Sequence, residues 1–468
     1  MKLKSSGLFP LILFALIILL SQITLVLASP DENYPGQAQI KWLMAQQDPD
    51  ANLVNSYEDG NDFAWTVDQA LAVIAFTHSG EITRAKRILD KMEELLPPEC
   101  NASWNEWYRL ANPNDMDWDW GSQKYMTGPI AWMVISINYY ESNTHDANYA
   151  DMARKALCWL DTMRNTDPND KYGSLRFCDG PRCGQYDANE PNWISTEHNI
   201  DVYSAYYWRG MLDANDSYLY KASLILDYLR GQMWAPSPDS NCCSAENVFC
   251  RGYNDCEIVT DCQSWGVLSL GEFGPDGEEF YKSLDWLLYN TRTVQDYNET
   301  VTEVEGYRGS PGDNNYIEID FTEHVAATFY RIGDDVNGNY FHNEMGRTVD
   351  SNGGLVHSFC DHDSNVGYFM NDPSKRYNNL RYNYVGSVAW YYFNEARINP
   401  FNLRPCFAEC RAANIDGAGK IDFTDYALFA NQWLYEGLNL VSDINKDRRV
   451  RLVDLGILTE YWLKDCNE

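Results

Sequence analysis

The sequence predicts an all-α fold: an (α/α)6 toroid of helical hairpins, followed by a second, smaller helical domain. Three observations carry that reading. Strongly apolar helical segments alternate with amphipathic ones about six times between residues 36 and 403. Long polar loops rich in aromatics, at 101–124, 173–194, 236–260 and 293–318, precede most of the apolar segments. Beyond residue 411 the pattern gives way to a short tandem repeat.

Residues 1–28 read as a secretory signal, with Lys2 and Lys4, an apolar run over 8–20, and a cleavage site at Val26-Leu27-Ala28. The mature chain is then secreted, extracellular or held at the cell surface; an uncleaved N-terminal anchor is the alternative. No other stretch offers the ~20 apolar residues a membrane span needs. A short helix is expected over 38–46. The segment 61–76, with Asp68 within it, opens an apolar helix that ends near Ser79-Gly80 and pairs with amphipathic 82–96. The unit returns as 126–140 with 147–164, 196–212 with 217–233, 261–270 with 277–292, and 319–332 with 336–345; 385–398 closes the set. A repeat of ~60–70 residues is too long for common solenoids. Hairpins with a buried inner and an amphipathic outer helix suit a closed ring, with the long loops gathered on one face.

Composition limits the function. The formal charge is −32, and loss of the two signal lysines makes it −34. That excludes nucleic acid and anionic membrane as natural partners and disfavours acidic polymers. Thirteen Cys in an exported chain imply disulfides. Cys178 and Cys183 can staple one loop, and Cys242, Cys243, Cys250, Cys256 and Cys262 cluster. The odd count leaves at least one thiol unpaired, and no Cys/His spacing reads as zinc. Aromatics form 14% of the chain. Trp65, Trp104, Trp107, Trp118, Trp120 and Trp193 lie among polar residues, where ring faces can stack on sugars.

The densest chemistry lies in Ser195-Thr196-Glu197-His198-Asn199-Ile200-Asp201. Ser195 or Thr196 caps a helix, which sets Glu197 in the first turn and Asp201 one turn further on the same face. Glu197 either complements the helix dipole or acts as an acid beside Trp193. His198, Asn199, Asp201 and Tyr203 are candidate substrate contacts, with Asp201 and Asn199 better suited to positioning. Asp68, Asp320 and the loop acid Asp119, between Trp118 and Trp120, compete to be the second carboxylate. Asp261 reads as the cap of its helix.

The segments Asp68-Gln69-Ala70-Leu71-Ala72, Thr196 to Asp201, Asp261 to Leu268, and Ser387 to Phe393 with Asn399-Pro400-Phe401 resemble the six-hairpin glycosidase superfamily over residues 36–403. That resemblance implies a secreted glycoside hydrolase acting on a poly- or oligosaccharide through carboxylates, with no cofactor for catalysis. The family's acidic residue before its penultimate inner helix, often Glu-Gly-Thr, here reads Asp320-Phe321-Thr322. Lyases and epimerases on the same toroid use His or Tyr as a base, so His198 with Asn199 and Tyr203 keeps a polysaccharide lyase as an alternative. A non-catalytic glycan-binding protein is a further one.

After a linker at 404–411, residues 412–466 resemble a degenerate type I dockerin pair, each helix ending in Trp-Leu. The two loops begin at Asn414 and Asp443, a separation of 29 residues. Following the calcium-loop pattern, the resemblance implies ligands at Asn414, Asp416, Asp422 and Asp425 in the first loop and Asp443, Asn445, Asp447 and Asp454 in the second. Ala418 lacks a ligand oxygen, and Arg448 and Arg451 replace the turn glycine and a ligand. Such a tail implies attachment to a cohesin-like or cell-surface partner.

Overall fold

The computed structural model describes residues 35–402 apart from 59–61, 98–102, 114–123, 168–170, 181–182, 184–189, 238–244, 271–276, 312–315 and 360–381. Of the tail it describes 423–433 and a few single positions. The signal and the linker lie outside these residues.

Helix α1 (Gln37–Gln46) opens the chain. Hairpins follow: α2 (Thr66–His78) with α3 (Ile82–Leu95), then α4 (Thr127–Thr144) with α5 (Ala150–Thr162). Next come α6 (Thr196–Leu212) with α7 (Asp216–Tyr228) and α8 (Thr260–Leu270) with α9 (Ser283–Asn290). The last are α10 (Ile319–Arg331) with α11 (Asp335–Gly346), and α12 (Val385–Glu395), which takes α1 from the other end of the chain as its outer partner. The even-numbered helices pack each on the next, and α12 returns to α2, so the inner ring is closed.

Burial separates the two layers. Inner α8 is buried at every position. Outer α3 buries only Ala85, Ile88, Leu89 and Met92, the single stripe of an amphipathic helix, each large side chain contributing ~1.5–3 kcal/mol.

The expected long loops carry short antiparallel strands. Strand β1 (Phe63–Trp65) pairs with β2 (Trp107–Arg109), β3 (Tyr125–Met126) with β4 (Cys178–Asp179), and β5 (Trp234–Ala235) with β6 (Val248–Phe249). Strands β7 (Arg292–Gln295), β8 (Val304–Tyr307), β9 (Ile317–Glu318) and β10 (Ser358–Phe359) form one sheet in the order β10-β9-β8-β7. Cys178 and Cys183 are bridged as expected; Cys158 and Cys250 are also disulfide-bonded, while Cys256 and Cys262 are free.

A circuit of hydrogen bonds fixes the inner-helix mouths on one face. The first N–H of each inner helix donates to a carbonyl in the loop before the next inner helix. Thr66 reaches Glu106, Thr127 reaches Phe177, Thr196 reaches Arg251, Thr260 reaches Gly309, Ile319 reaches His357, and Val385 returns to Ser56, all at 2.8–3.0 Å. Four of the six helices begin with Thr, whose hydroxyl donates to the same loop, as from Thr66 to Asn105 and Thr260 to Arg308. These bonds satisfy helix N-termini that burial would otherwise leave unpaired.

In the tail, α13 (Phe423–Asn431) is a helix where the repeat predicts one. Asp425 is fully buried in its first turn. The other seven ligand positions, Asn414, Asp416, Asp422, Asp443, Asn445, Asp447 and Asp454, lie outside the described residues. No described helix is long and apolar enough to cross a membrane.

Candidate active site

Because the inner helices share one polarity and one mouth, equal positions along them meet at equal depth. The second residues of α6, α8 and α10 are Glu197, Asp261 and Asp320. All three reach the mouth surface: Glu197 is half-buried, and Asp261 and Asp320 are each 8% exposed. Glu197 and Asp261 share a hydrogen bond between their carboxyls. Burial first, then the charge of Asp261 and that bond, hold Glu197 well above the usual carboxylate range. Asp261 is pushed up by burial to about 6, eased by the Cys262 N–H at 2.6 Å and by the bond from Glu197. The two carboxyls therefore titrate as a pair, with the Glu197 side held the higher of the two. Asp261 is thus no simple helix cap, as its position alone suggested.

Asp320 faces this pair from α10. Burial raises its pKa, and the imidazole of His357, 3.8 Å away, works against the rise. The charge of Asp320 is felt by Asp261 on one side and by Asp68 on the other, so the acids form a string across the mouth.

Asp68 differs from the expectation of a catalytic group. It is fully buried, which puts it out of a substrate's reach. Burial pushes it up to about 7; the nearby Ser56 and Tyr384 hydroxyls offset this in part, though they stand outside strict hydrogen-bond geometry. Asp201 lies one turn below Glu197, 1% exposed, with neither oxygen partnered among the described residues. Burial, then the charges of Glu197 and Asp261, raise its pKa well above the usual carboxylate range.

Asp201 belongs to a floor under the mouth. The sixth residues of the inner helices are Leu71, Trp132, Asp201, Trp265, His324 and Trp390, all buried, and the four aromatic ones meet one another. Ring contacts run from Trp132 to Trp265 (5.5 Å), Trp265 to His324 (5.3 Å), His324 to Trp390 (4.2 Å) and Trp390 to Trp132 (6.2 Å). Phe401 plugs the axis beneath them, against Trp132 and Trp265. The floor is packed, so a substrate stops above Asp201.

The remaining candidates fall into two groups. Asn199 is spent on the scaffold: its amide exchanges two hydrogen bonds with the backbone of Leu175 and donates to the Ser195 carbonyl. Gln69 does the same to Val54 and Gln263 to Phe249, each at the fourth position of its helix. Tyr203 is buried against Tyr207 two turns down, and neither it nor Asn199 is a substrate contact. His198 stacks on Phe177 at 4.5 Å, bonds Thr127 Oγ1 at 3.0 Å and packs on Gly128, where a Cβ would fall 2.5 Å from the ring. Burial, then Lys124, holds its pKa down to about 3, so it is a neutral scaffold ring rather than the base of a lyase.

Trp65 and Trp193, in contrast, stay partly exposed at the mouth. Trp65 rests on Trp107 at 5.0 Å and Trp193 on Phe177 at 5.0 Å, with Gly252 beneath it. Asp119, Trp118 and Trp120 lie outside the described residues. Among the described residues no His/Cys/Asp/Glu group is arranged to hold a metal ion.

Sequence reasoning missed three features. Asp261 carried a signal, since it occupies the same helix position as Glu197 and Asp320. His357 and Tyr384 carried none: strand pairing of β10 with β9 brings the first to Asp320, and ring closure brings the second to Asp68. The buried pair Glu106–Lys124, 4.0 Å apart, behind Phe177, also has no local signature.

No family model matches the chain, and no curated protein matches it. Solved structures do. A glycosidase variant in complex with glucose superposes with a TM-score of 0.56 at 12% identity, over 77% of this chain and 95% of the other. A sugar epimerase from a ruminal bacterium gives 0.53 at 10%, over 77% and 96%. A bacterial glucoamylase complexed with acarbose gives 0.53 at 10%, over 78% of this chain and 56% of the other. The likeness joins the closed helix ring and its one-sided mouth into a single conclusion: the chain folds as an (α/α)6 toroid.

Proposed function

We propose that the protein is a secreted glycoside hydrolase of neutral poly- or oligosaccharides. The observation that carries this reading is the proton-sharing pair Glu197–Asp261 at a partly open mouth, with a third carboxylate, Asp320, facing it. Glycosidic cleavage needs a protonated acid for the leaving oxygen and a separate carboxylate to activate water or attack the anomeric carbon. Glu197, whose pKa burial and the neighbouring Asp261 raise well above the usual carboxylate range, is the acid. Asp261 is the partner that keeps that proton in place, and being hydrogen-bonded to Glu197 it leaves no room for a sugar between them. Asp320 is therefore the second carboxylate. Trp65 and Trp193 supply ring faces for sugar stacking, with Trp118, Trp120 and Asp119 as loop contributors.

Residues 1–28 direct export in this reading, and 412–466 attach the enzyme to a cohesin-like or cell-surface partner through calcium-stabilised loops. The likeness to structures holding glucose and acarbose supports a sugar substrate.

The test is a panel of neutral and uronic polysaccharides and their oligosaccharides. Reducing ends without ultraviolet-absorbing unsaturated products are expected, and Glu197→Gln should abolish them. A second reading, proton abstraction from a sugar carbon as in an epimerase, gains from His357 beside Asp320. Its product would be an epimer without new reducing ends. Unsaturated products, or binding without turnover, would overturn the hydrolase reading.

A further inference from the structure

We propose that His357 is a positioning residue for Asp320, sharing with it the proton that the carboxylate takes from the attacking water. This rests on the hydrolase reading above and adds a second proton-sharing pair, opposite Glu197–Asp261.

The geometry is built rather than incidental. The carbonyl of His357 accepts the first N–H of α10 at 3.0 Å, and Ser358 pairs with Glu318 across β10 and β9. The residue that anchors the start of α10 thus also carries the imidazole that faces the second residue of α10. That ring is held by Tyr384 at 4.7 Å and by the edge of Tyr57 at 6.3 Å, and the two tyrosines stack on each other at 4.7 Å. Nδ1 is buried without a hydrogen-bond partner among the described residues, while Nε2 stands 3.8 Å from Asp320 Oδ2. Nε2 is therefore the ring atom turned to a charged group, within one small side-chain movement or one bridging water of a proton transfer.

The groups around the pair are few. Asp261, Asp68 and Tyr384 face Asp320 besides His357, and Tyr57 and Tyr384 face the imidazole besides Asp320. Burial raises Asp320 and lowers His357, while each one's charge opposes the other's shift, so the titration of either depends on the other. The step balances. A water O–H bond breaks as its oxygen bonds the anomeric carbon, and its proton goes to Asp320 and is shared with His357. The C–O bond to the leaving group breaks, and that oxygen takes the proton of Glu197. One water is added, and solvent restores both pairs.

Two measurements test this. Without His357, Asp320 loses the charge that lowers its pKa. In His357→Gln the acid limb of kcat/KM should then move to higher pH with KM little changed, about tenfold in kcat/KM for each unit below the limb. Independently of any substrate, NMR titration of the His357 imidazole in the full chain should show its midpoint falling in Asp320→Asn, since Asp320 is the group that raises it. If no glycan is hydrolysed, the hydrolase reading fails while the titration still reports the pair. An unmoved midpoint, or an acid limb that overlays the wild type, would overturn the inference. Should His357→Gln fail to fold, Asp320→Asn and the titration decide alone.

Discussion

Replacing Asp261 with asparagine isolates the pair that defines the proposed acid. Asparagine keeps the shape and a carbonyl acceptor, adds an amide donor that favours an ionised Glu197, and removes the charge. Of the three causes that raise the Glu197 pKa, burial survives, the charge of Asp261 is lost, and the bond to it is no longer charge-assisted. A hydrogen bond to a charged group is worth ~1.5–3 kcal/mol, and one pKa unit ~1.4 kcal/mol. The Glu197 pKa should therefore fall toward the ordinary carboxylate range. A general acid works only while protonated, so the basic limb of kcat/KM moves to lower pH by the same amount. At pH values above the wild-type limb the loss is about ten- to hundredfold, and on the plateau it is small. Glu197→Gln, by contrast, should lose ~10²–10⁴ at every pH. The assay is kcat/KM against pH on the oligosaccharide that the panel identifies. A basic limb in Asp261→Asn that overlays the wild type would refute the reasoning. So would a uniform loss without a shift, which would make Asp261 itself the reacting group.

Three further predictions concern the frame. His342 bridges Glu323 at 2.9 Å and Glu395 at 3.0 Å, tying α10, α11 and α12 together. Burial opposes its charge but the two carboxylates outweigh it and raise its pKa to about 10, from an ordinary 6.5. Its contribution to stability is full below ~6.5 and is lost as pH rises toward 10. His342→Gln should cost about 3–5 kcal/mol in urea unfolding at pH 6 and much less above pH 10. Asn199→Ala leaves the Leu175 N–H and carbonyl unpaired in the core, a cost of ~1–3 kcal/mol each, read as a lowered melting temperature. Finally, a chelator should lower the melting transition of 412–466 if its loops hold calcium, and leave the toroid's transition in place; differential scanning calorimetry of the full chain separates the two.

The ring was legible because its signals are local. An apolar helix buried on all sides and an amphipathic one differ in pattern within a single turn or two, so all six inner helices could be found near their true limits. The Ser195–Asp201 stretch was legible for the same reason: its cap is Ser195, whose Oγ accepts the His198 N–H at 3.3 Å, and Glu197 does stand at the mouth. What resisted reading was depth. Asn199 and Glu197 are two residues apart, yet one clamps Leu175 and the other faces the mouth, because a helix turns 100° per residue. Asp68 looked equivalent to Glu197, but it sits third in its helix rather than second. It is thus turned under Tyr384, a residue some 316 positions away in the chain (384 − 68). His357 had no local pattern at all: the pairing of β10 with β9 brings its imidazole to Asp320, and closure of α12 on α2 brings the Tyr57–Tyr384 seam against it.

One rule links these cases. When parallel inner helices begin at the same level, position within the helix becomes height along the axis. Second positions of α6, α8 and α10 then hold the mouth acids, fourth positions hold the clamps Gln69, Asn199, Gln263 and Thr322, the last accepting the Tyr307 N–H at 2.9 Å, and sixth positions form the floor. The four-residue step from Glu197 to Asp201, from Asp261 to Trp265 and from Asp320 to His324 is one helical turn, about 5–6 Å of rise. That step explains why each mouth acid has a bulky or polar residue directly below it, and why water cannot reach the acids from beneath. Burial of the acids follows from the packed floor, and burial is the first cause of every raised carboxyl pKa in the mouth. The proton on Glu197 is thus set by the axial layer as much as by its partner. Opening that layer, as Trp265→Ala would, should drop the Glu197 pKa and bring the basic limb of activity down even with Asp261 intact.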